Sequence, residues 1–226
     1  MIKNEISAYF IKKENATKSL VIFYDIFGID IVNTKYFLDK LSEKLSCNIL
    51  MPDVFRGKAW SVKNFPPPNQ DEFMKWITEA GDYKLAKADL LTSINYLKEN
   101  SLLTASVGVL GFCWGGRQVV SVLSDESLVG TVKAGASVHG AFIVDGDKHL
   151  IKNPVYFVQA SDDPSLKEIY EFLIKKSDHL KNSMYDFVEG QSHGFAAARG
   201  DHGDSNCKKA IEKTIDQCVV FFNKNL

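Results

Sequence analysis

The sequence predicts an α/β protein with a mostly parallel central sheet covered by helices on both faces. Three observations carry that expectation. Short apolar runs recur at 20–24, 47–51, 106–110, 132–138, 155–159 and 183–188, as strands buried on both faces should. Segments with helical apolar spacing separate most of them. Alternation of this kind implies right-handed crossovers and parallel neighbours. The 226 residues, 45% hydrophobic and 24% charged, suffice for one domain, 1–226, with a sizeable core.

The elements follow in order. Residues 20–24 open the sheet, and the short stretch before them leaves room for at most a reduced leading hairpin. A helix is expected over 33–46, with Tyr36, Phe37, Leu38, Leu41 and Leu45 near one stripe. The strand 47–51 is stopped by Pro52, and the loop that follows holds the run Pro66-Pro67-Pro68, too short to join independent domains. Helices are expected over 71–80 and 83–99 with Gly81 between them, then a strand at 106–110 and a helix at 115–123. Strands at 132–138, 155–159 and 183–188 follow, with a helix at 165–176 before the last of them. The chain closes with a helix over 207–222, where Ile211, Ile215, Val219 and Phe222 keep helical spacing. In such sheets a site forms on the loops at the carboxyl ends of the strands. Those loops are 25–28, 52–68, 111–115, 139–140, 161–163 and 190–194.

Charge excludes some classes of function. A net charge of −1 argues against partners held by bulk electrostatics, so neither nucleic acid nor a membrane surface is expected. No run approaches the roughly 18 uncharged apolar residues of a membrane span, and Lys3, Asn4, Glu5, Lys12, Lys13 and Glu14 break any signal-peptide core. Cys47, Cys113, Cys207 and Cys218 show neither a disulfide framework nor zinc spacing. These features point to a cytoplasmic protein with reduced thiols. No metal and no cofactor is expected, since neither a dinucleotide-binding glycine motif nor a phosphate-binding loop appears.

One motif carries chemistry. Gly111-Phe112-Cys113-Trp114-Gly115-Gly116 follows an apolar strand and precedes a helical pattern. That is a nucleophile elbow with Cys in place of Ser. The turn is tight enough that side chains two residues before and after the nucleophile would collide, which requires glycine at both. The helix N-terminus behind the thiol favours a thiolate or an oxyanion, and the backbone N–H of Trp114 would donate to that oxyanion. An elbow requires an acid and then a histidine, each just after a strand. Asp163, with Asp162 as the alternative, follows the strand 155–159, and His193 follows the strand 183–188. Of the other histidines only His139, at a strand end, is placed to line a pocket.

These motifs, with Asp25-Ile26-Phe27-Gly28, Pro52-Asp53-Val54-Phe55-Arg56-Gly57 and the stretch from His193 to Asp201, resemble the dienelactone hydrolase family. The resemblance runs from about Leu20 to Leu226. It implies an α/β-hydrolase fold without a sizeable cap domain. It also implies a triad of Cys113 as nucleophile, His193 as base and then acid, and Asp163 orienting the imidazole. The second oxyanion donor would be the N–H of Ile26. Asp25 stands where the family's best-known member has a glutamate that controls the thiol. The activity implied is hydrolysis of a lactone or small ester through an acyl-cysteine. Alternatives are a non-catalytic scaffold with a binding or regulatory role and a redox-sensing thiol. Either a monomer or a homodimer fits the sequence.

The basic residues are unevenly chosen: 24 are Lys and three are Arg. Arg56 follows a strand end, Arg117 lies one turn into the helix behind Cys113, and Arg199 follows His193. Planar bidentate donors suit a carboxylate better than Lys does. Arg199 and Arg56 are therefore the candidates to hold an anionic end of the substrate, with Arg117 more suited to a structural ion pair.

Overall fold

The computed structural model describes residues 6–102 and 107–226. Strands β1 (Ala8–Ile11), β2 (Lys18–Phe23), β3 (Cys47–Pro52), β4 (Val107–Phe112), β5 (Val132–Val138), β6 (Val155–Ala160) and β7 (Met184–Val188) form one sheet in the order β1-β3-β2-β4-β5-β6-β7. All neighbours are parallel except β1, which runs antiparallel along the outer edge of β3. Residues 19–23, 47–52, 107–112 and 155–160 are buried throughout, which is why they read as mainly apolar runs without alternation. Ser106, the first residue of the strand expected before Gly111, lies outside the described residues.

The helices are α1 (Val32–Leu45), α2 (Gln70–Ala80), α3 (Tyr83–Glu99), α4 (Trp114–Ser124), the single turn α5 (Asp147–Leu150), α6 (Lys167–Lys176) and α7 (Ser205–Asn225). The chain leaves β2 toward β3 through α1, then returns past β2 to β4 through α3. Right-handed crossovers running in opposite directions place their helices on opposite faces. Accordingly α1 packs with α7, and α3 packs with α4. Among the described residues no helix is long and apolar enough to cross a membrane.

Helix boundaries differ from the sequence expectation where polar caps decide them. Asn69 accepts from the N–H groups of Asp71 and Glu72, so α2 begins at Gln70. Asp204 accepts from Asn206 and Cys207, which starts α7 two residues earlier than its apolar spacing suggests. At α6 the correction runs the other way. The helix begins at Lys167 rather than Ser165, and the Leu166 N–H at its start is satisfied by the Gln159 side chain at 3.0 Å.

The strand order reverses between β2 and β4, where a ligand crevice is expected in an open α/β sheet. Phe23 pairs with Gly111, and Gly111 pairs with Ser137. The ends of β2, β4 and β5 are thus level, and their following loops open onto one edge of the sheet.

Candidate active site

Cys113 joins β4 to α4 with φ 53° and ψ −114°, a strained conformation for a residue with a side chain. The glycines beside it are required by contact. A Cβ on Gly111 would lie 2.0 Å from the Gly115 carbonyl oxygen, and one on Gly115 would lie 2.1 Å from the Phe23 carbonyl oxygen. The turn is pinned on both sides: the Cys113 N–H donates to Val138 O at 3.2 Å, and its carbonyl accepts from Gly116 and Ala141, each at 2.9 Å. Of the four cysteines, all free, Cys113 alone is part-exposed. Burial pushes the Cys47 thiol up to about 12 and raises that of Cys218 as well.

The loops after β6 and β7 bring the acid and the histidine to this thiol. Asp163 Oδ1 lies 2.6 Å from His193 Nδ1, and Oδ2 accepts the Ala160 N–H at 3.0 Å. Asp162 serves the same histidine differently, accepting its backbone N–H. It is an exposed turn residue whose carboxylate is used to hold the backbone at His193. Burial pulls the His193 pKa down, but hydrogen bonding to Asp163 and Cys113 and the charges of those groups outweigh it, raising the pKa to about 10.

The two residues expected to supply oxyanion donors are Trp114, next to Cys113 in the chain, and Ile26. Trp114 is the first residue of α4, so its N–H has no partner within the helix and stands at the positive end of the dipole. Its indole is buried against Phe55, ring centroids 4.7 Å apart, and donates to Gly81 O at 3.2 Å. Ile26 lines the same cleft as Cys113. Asp25 is buried there too, with Oδ1 accepting the Phe27 N–H at 2.9 Å and Oδ2 the Ala198 N–H at 3.3 Å. Burial raises its pKa to about 6, against the pull of those two N–H groups and the His193 charge.

The cleft measures about 320 Å³, at the small end of ordinary ligand pockets. Cys113, His193, Asp25 and Arg199 reach it, and Phe27, Phe65, Phe73 and Phe142 supply much of its wall. The rings at 65, 73 and 142 were not anticipated. Phe65 precedes the proline run, but nothing in the local sequence marks Phe73 or Phe142 as lining.

Two substrate-binding expectations are corrected. Arg56 is not in the cleft. Its guanidinium forms a two-pronged pair with Asp89, both distances 2.7 Å, and also donates to Asp53 O at 2.7 Å. Asp89 is a buried carboxylate on α3, so this arginine is used to neutralise it and to tie down the loop after β3. His139 is fully buried under the cleft rather than lining it, packed against the rings of Phe112, His193 and Phe195. Arg117 pairs with Asp147 at 2.5 Å. Arg199 lines the cleft, with its stem across Gly194 and its Nη1 3.3 Å from His193 O. Among the described residues it has no carboxylate partner. No group of three or more His, Cys, Asp or Glu among them could hold a metal ion.

The dienelactone hydrolase family model matches residues 6–226. The chain belongs to the dienelactone hydrolase family. It is 28% identical to a human carboxymethylenebutenolidase homolog over 97% of this chain and 87% of that protein. The rat homolog is 27% identical over the same shares. Among solved structures, a dienelactone hydrolase from Anabaena variabilis superposes with a TM-score of 0.64 at 15% identity, covering 98% of this chain and 92% of that one. A dienelactone hydrolase-like promiscuous phosphotriesterase from metagenomic libraries gives 0.69 at 18%, covering 97% and 92%. The fold is thus the α/β-hydrolase fold, in a family of hydrolases, and it carries no large cap.

Proposed function

We propose that this dienelactone hydrolase family member cleaves lactones or small esters through an acyl-cysteine formed on Cys113. One observation carries the reading: His193, held by the Asp163 carboxylate at 2.6 Å, lines the same cleft as the Cys113 thiol.

The chemistry follows from the protonation of that pair. With the imidazole pKa raised to about 10, His193 carries a proton at neutral pH, and a thiolate is the nucleophilic form of a cysteine beside such a cation. The thiolate attacks the carbonyl carbon, forming a C–S bond. The oxyanion sits between the N–H groups of Ile26 and Trp114, where the loss of one donor costs on the order of 10²–10³ in rate. His193 gives its proton to the leaving oxygen as the C–O bond breaks. Water then attacks the thioester, His193 takes a proton from it, and the C–S bond breaks to release the acid and the thiolate. Asp163 holds the ring in the orientation that serves both steps.

Control of the thiol falls in this reading to Asp25, whose buried carboxyl ionises near 6 in the same cleft. Arg199 is the cation available for an anionic end of the substrate. The scheme uses no cofactor. Four free cysteines suit a reducing cytoplasm.

The deciding experiment is a rapid quench with p-nitrophenyl acetate followed by peptide mass analysis. Acetyl on the Cys113 peptide in the wild type, with turnover abolished in Cys113→Ala, is the expected result. Full turnover in Cys113→Ala overturns the reading.

A further inference from the structure

Phe142 stands at the rim of the cleft with φ 59°, and 48% of its surface is exposed. A left-handed backbone is costly for a bulky residue, and a ring so exposed gains little from core burial to offset that strain. The surrounding loop nevertheless holds it in place. The Ala141 N–H donates to the carbonyl of Cys113 at 2.9 Å. Arg117 Nη1 lies 3.4 Å from Phe142 O and pairs with Asp147, whose carboxylate also accepts the Val144 N–H at 2.8 Å. One of the three arginines is thus used to fix this loop beside the thiol.

A second part-exposed ring lines the same cleft. Phe65 is 46% exposed and meets Phe27 edge-on with centroids 5.5 Å apart. Isolated exposed apolar residues are ordinary. Two half-exposed phenylalanines lining one catalytic cleft, backed by Phe27 and Phe73, form instead an apolar site with open ring surface.

We infer that Phe142 and Phe65 bind a ring-sized apolar group carried by the substrate, so that the substrate class is ring-bearing esters or lactones rather than bare small ones. This rests on the acyl-cysteine reading of Cys113, whose chemistry sets which bond lies beside the rings.

The test compares two esters with one leaving group, methyl acetate and methyl 3-phenylpropanoate. Wild type is expected to favour the phenyl ester in kcat/KM by roughly tenfold or more, the scale set by burying a phenyl group, mainly through KM. Phe142→Ala and Phe65→Ala should each reduce that ratio severalfold. Because the ratio is taken within one preparation, a smaller active fraction cancels from it. A wild-type ratio near one, or a ratio that neither variant changes, overturns the inference while leaving hydrolysis at Cys113 intact. A calorimetric titration of Cys113→Ala with the phenyl ester separates the two claims. Binding that Phe142→Ala weakens, in a protein whose wild type hydrolyses neither ester, sinks the acyl-cysteine reading and supports the ring site. Absence of both binding and hydrolysis overturns both.

Discussion

His139 lies directly beneath His193, with ring centroids 5.1 Å apart, and neither nitrogen of its fully buried ring has a hydrogen-bond partner among the described residues. Its pKa is held well below the ordinary 6.5 by burial first and then by the His193 charge. The two neighbours therefore respond to pH in opposite senses. His139 is neutral in the folded state, so its stability contribution is present above about 6.5 and is lost as pH falls and the unfolded chain takes up the proton. His193, raised to about 10, contributes stability that is full below 6.5 and is lost as pH rises toward 10.

His139→Leu isolates the first of these effects. It removes two unpartnered nitrogens, whose burial costs about 1–3 kcal/mol, and leaves an apolar side chain facing Phe112 and Phe195. Relative to wild type, the variant should gain stability as pH drops from 7 to 5. Urea unfolding at both pH values measures the difference. A pH-independent difference would show that His139 is not held neutral.

The roles of Asp162 and Asp163 are separable by the His193 titration. Asp163 touches the ring and Asp162 the backbone N–H. Asp163→Asn and Cys113→Ala should each lower the imidazole pKa followed by NMR, because each removes a group that favours the imidazolium. Asp162→Asn should leave it near the wild-type value. For turnover, Asp163→Asn should cost on the order of 10²–10⁴ in kcat, the scale of losing a histidine's orienting carboxylate, and Asp162→Asn far less. Equal effects of the two substitutions on the titration would reverse the assignment.

The sheet was legible because burial on both faces leaves an unbroken apolar run, as at 107–112 and 155–158. The elbow was legible because steric exclusion at Gly111 and Gly115 leaves only glycine. Less local features were not. β1 is four part-buried residues at the sheet edge, and only its pairing with β3 makes it a strand. Arg56 looked like a substrate cation because its partner, Asp89, is 33 residues away on α3. Phe142 could not be found at all, since a left-handed phenylalanine leaves no compositional trace.

Asp25 should set a breakpoint in the pH profile of hydrolysis. Its carboxyl ionises near 6 because burial outweighs the two N–H groups it accepts. Ionisation places a negative charge in the cleft, where it opposes the oxyanion formed on attack, while His193, raised to about 10, is already an imidazolium on both sides of this step. The wild-type profile of kcat/KM should therefore inflect near pH 6, and Asp25→Asn should remove that inflection while keeping the carboxyl's shape. An inflection that survives the substitution assigns it to another group.

The three arginines finally divide by what they face. Arg117 and Arg56 end on the buried carboxylates Asp147 and Asp89, whereas Arg199 ends at the cleft. Arg199→Ala should raise KM for monomethyl succinate by roughly 3–10-fold relative to methyl butanoate, a neutral ester of similar shape. The effect should shrink at high salt because the guanidinium is exposed and screened. Arg56→Ala should leave the succinate-to-butanoate ratio where it was. Its cost should fall on stability instead, about 1–3 kcal/mol for leaving Asp89 buried without its hydrogen bonds, toward the lower end because the arginine side chain is half exposed. Paired kinetics and urea unfolding on both variants separate the two roles. If Arg199→Ala changes KM equally for both esters, it has no part in holding an anion, and the cleft recognises its substrate through apolar contact alone.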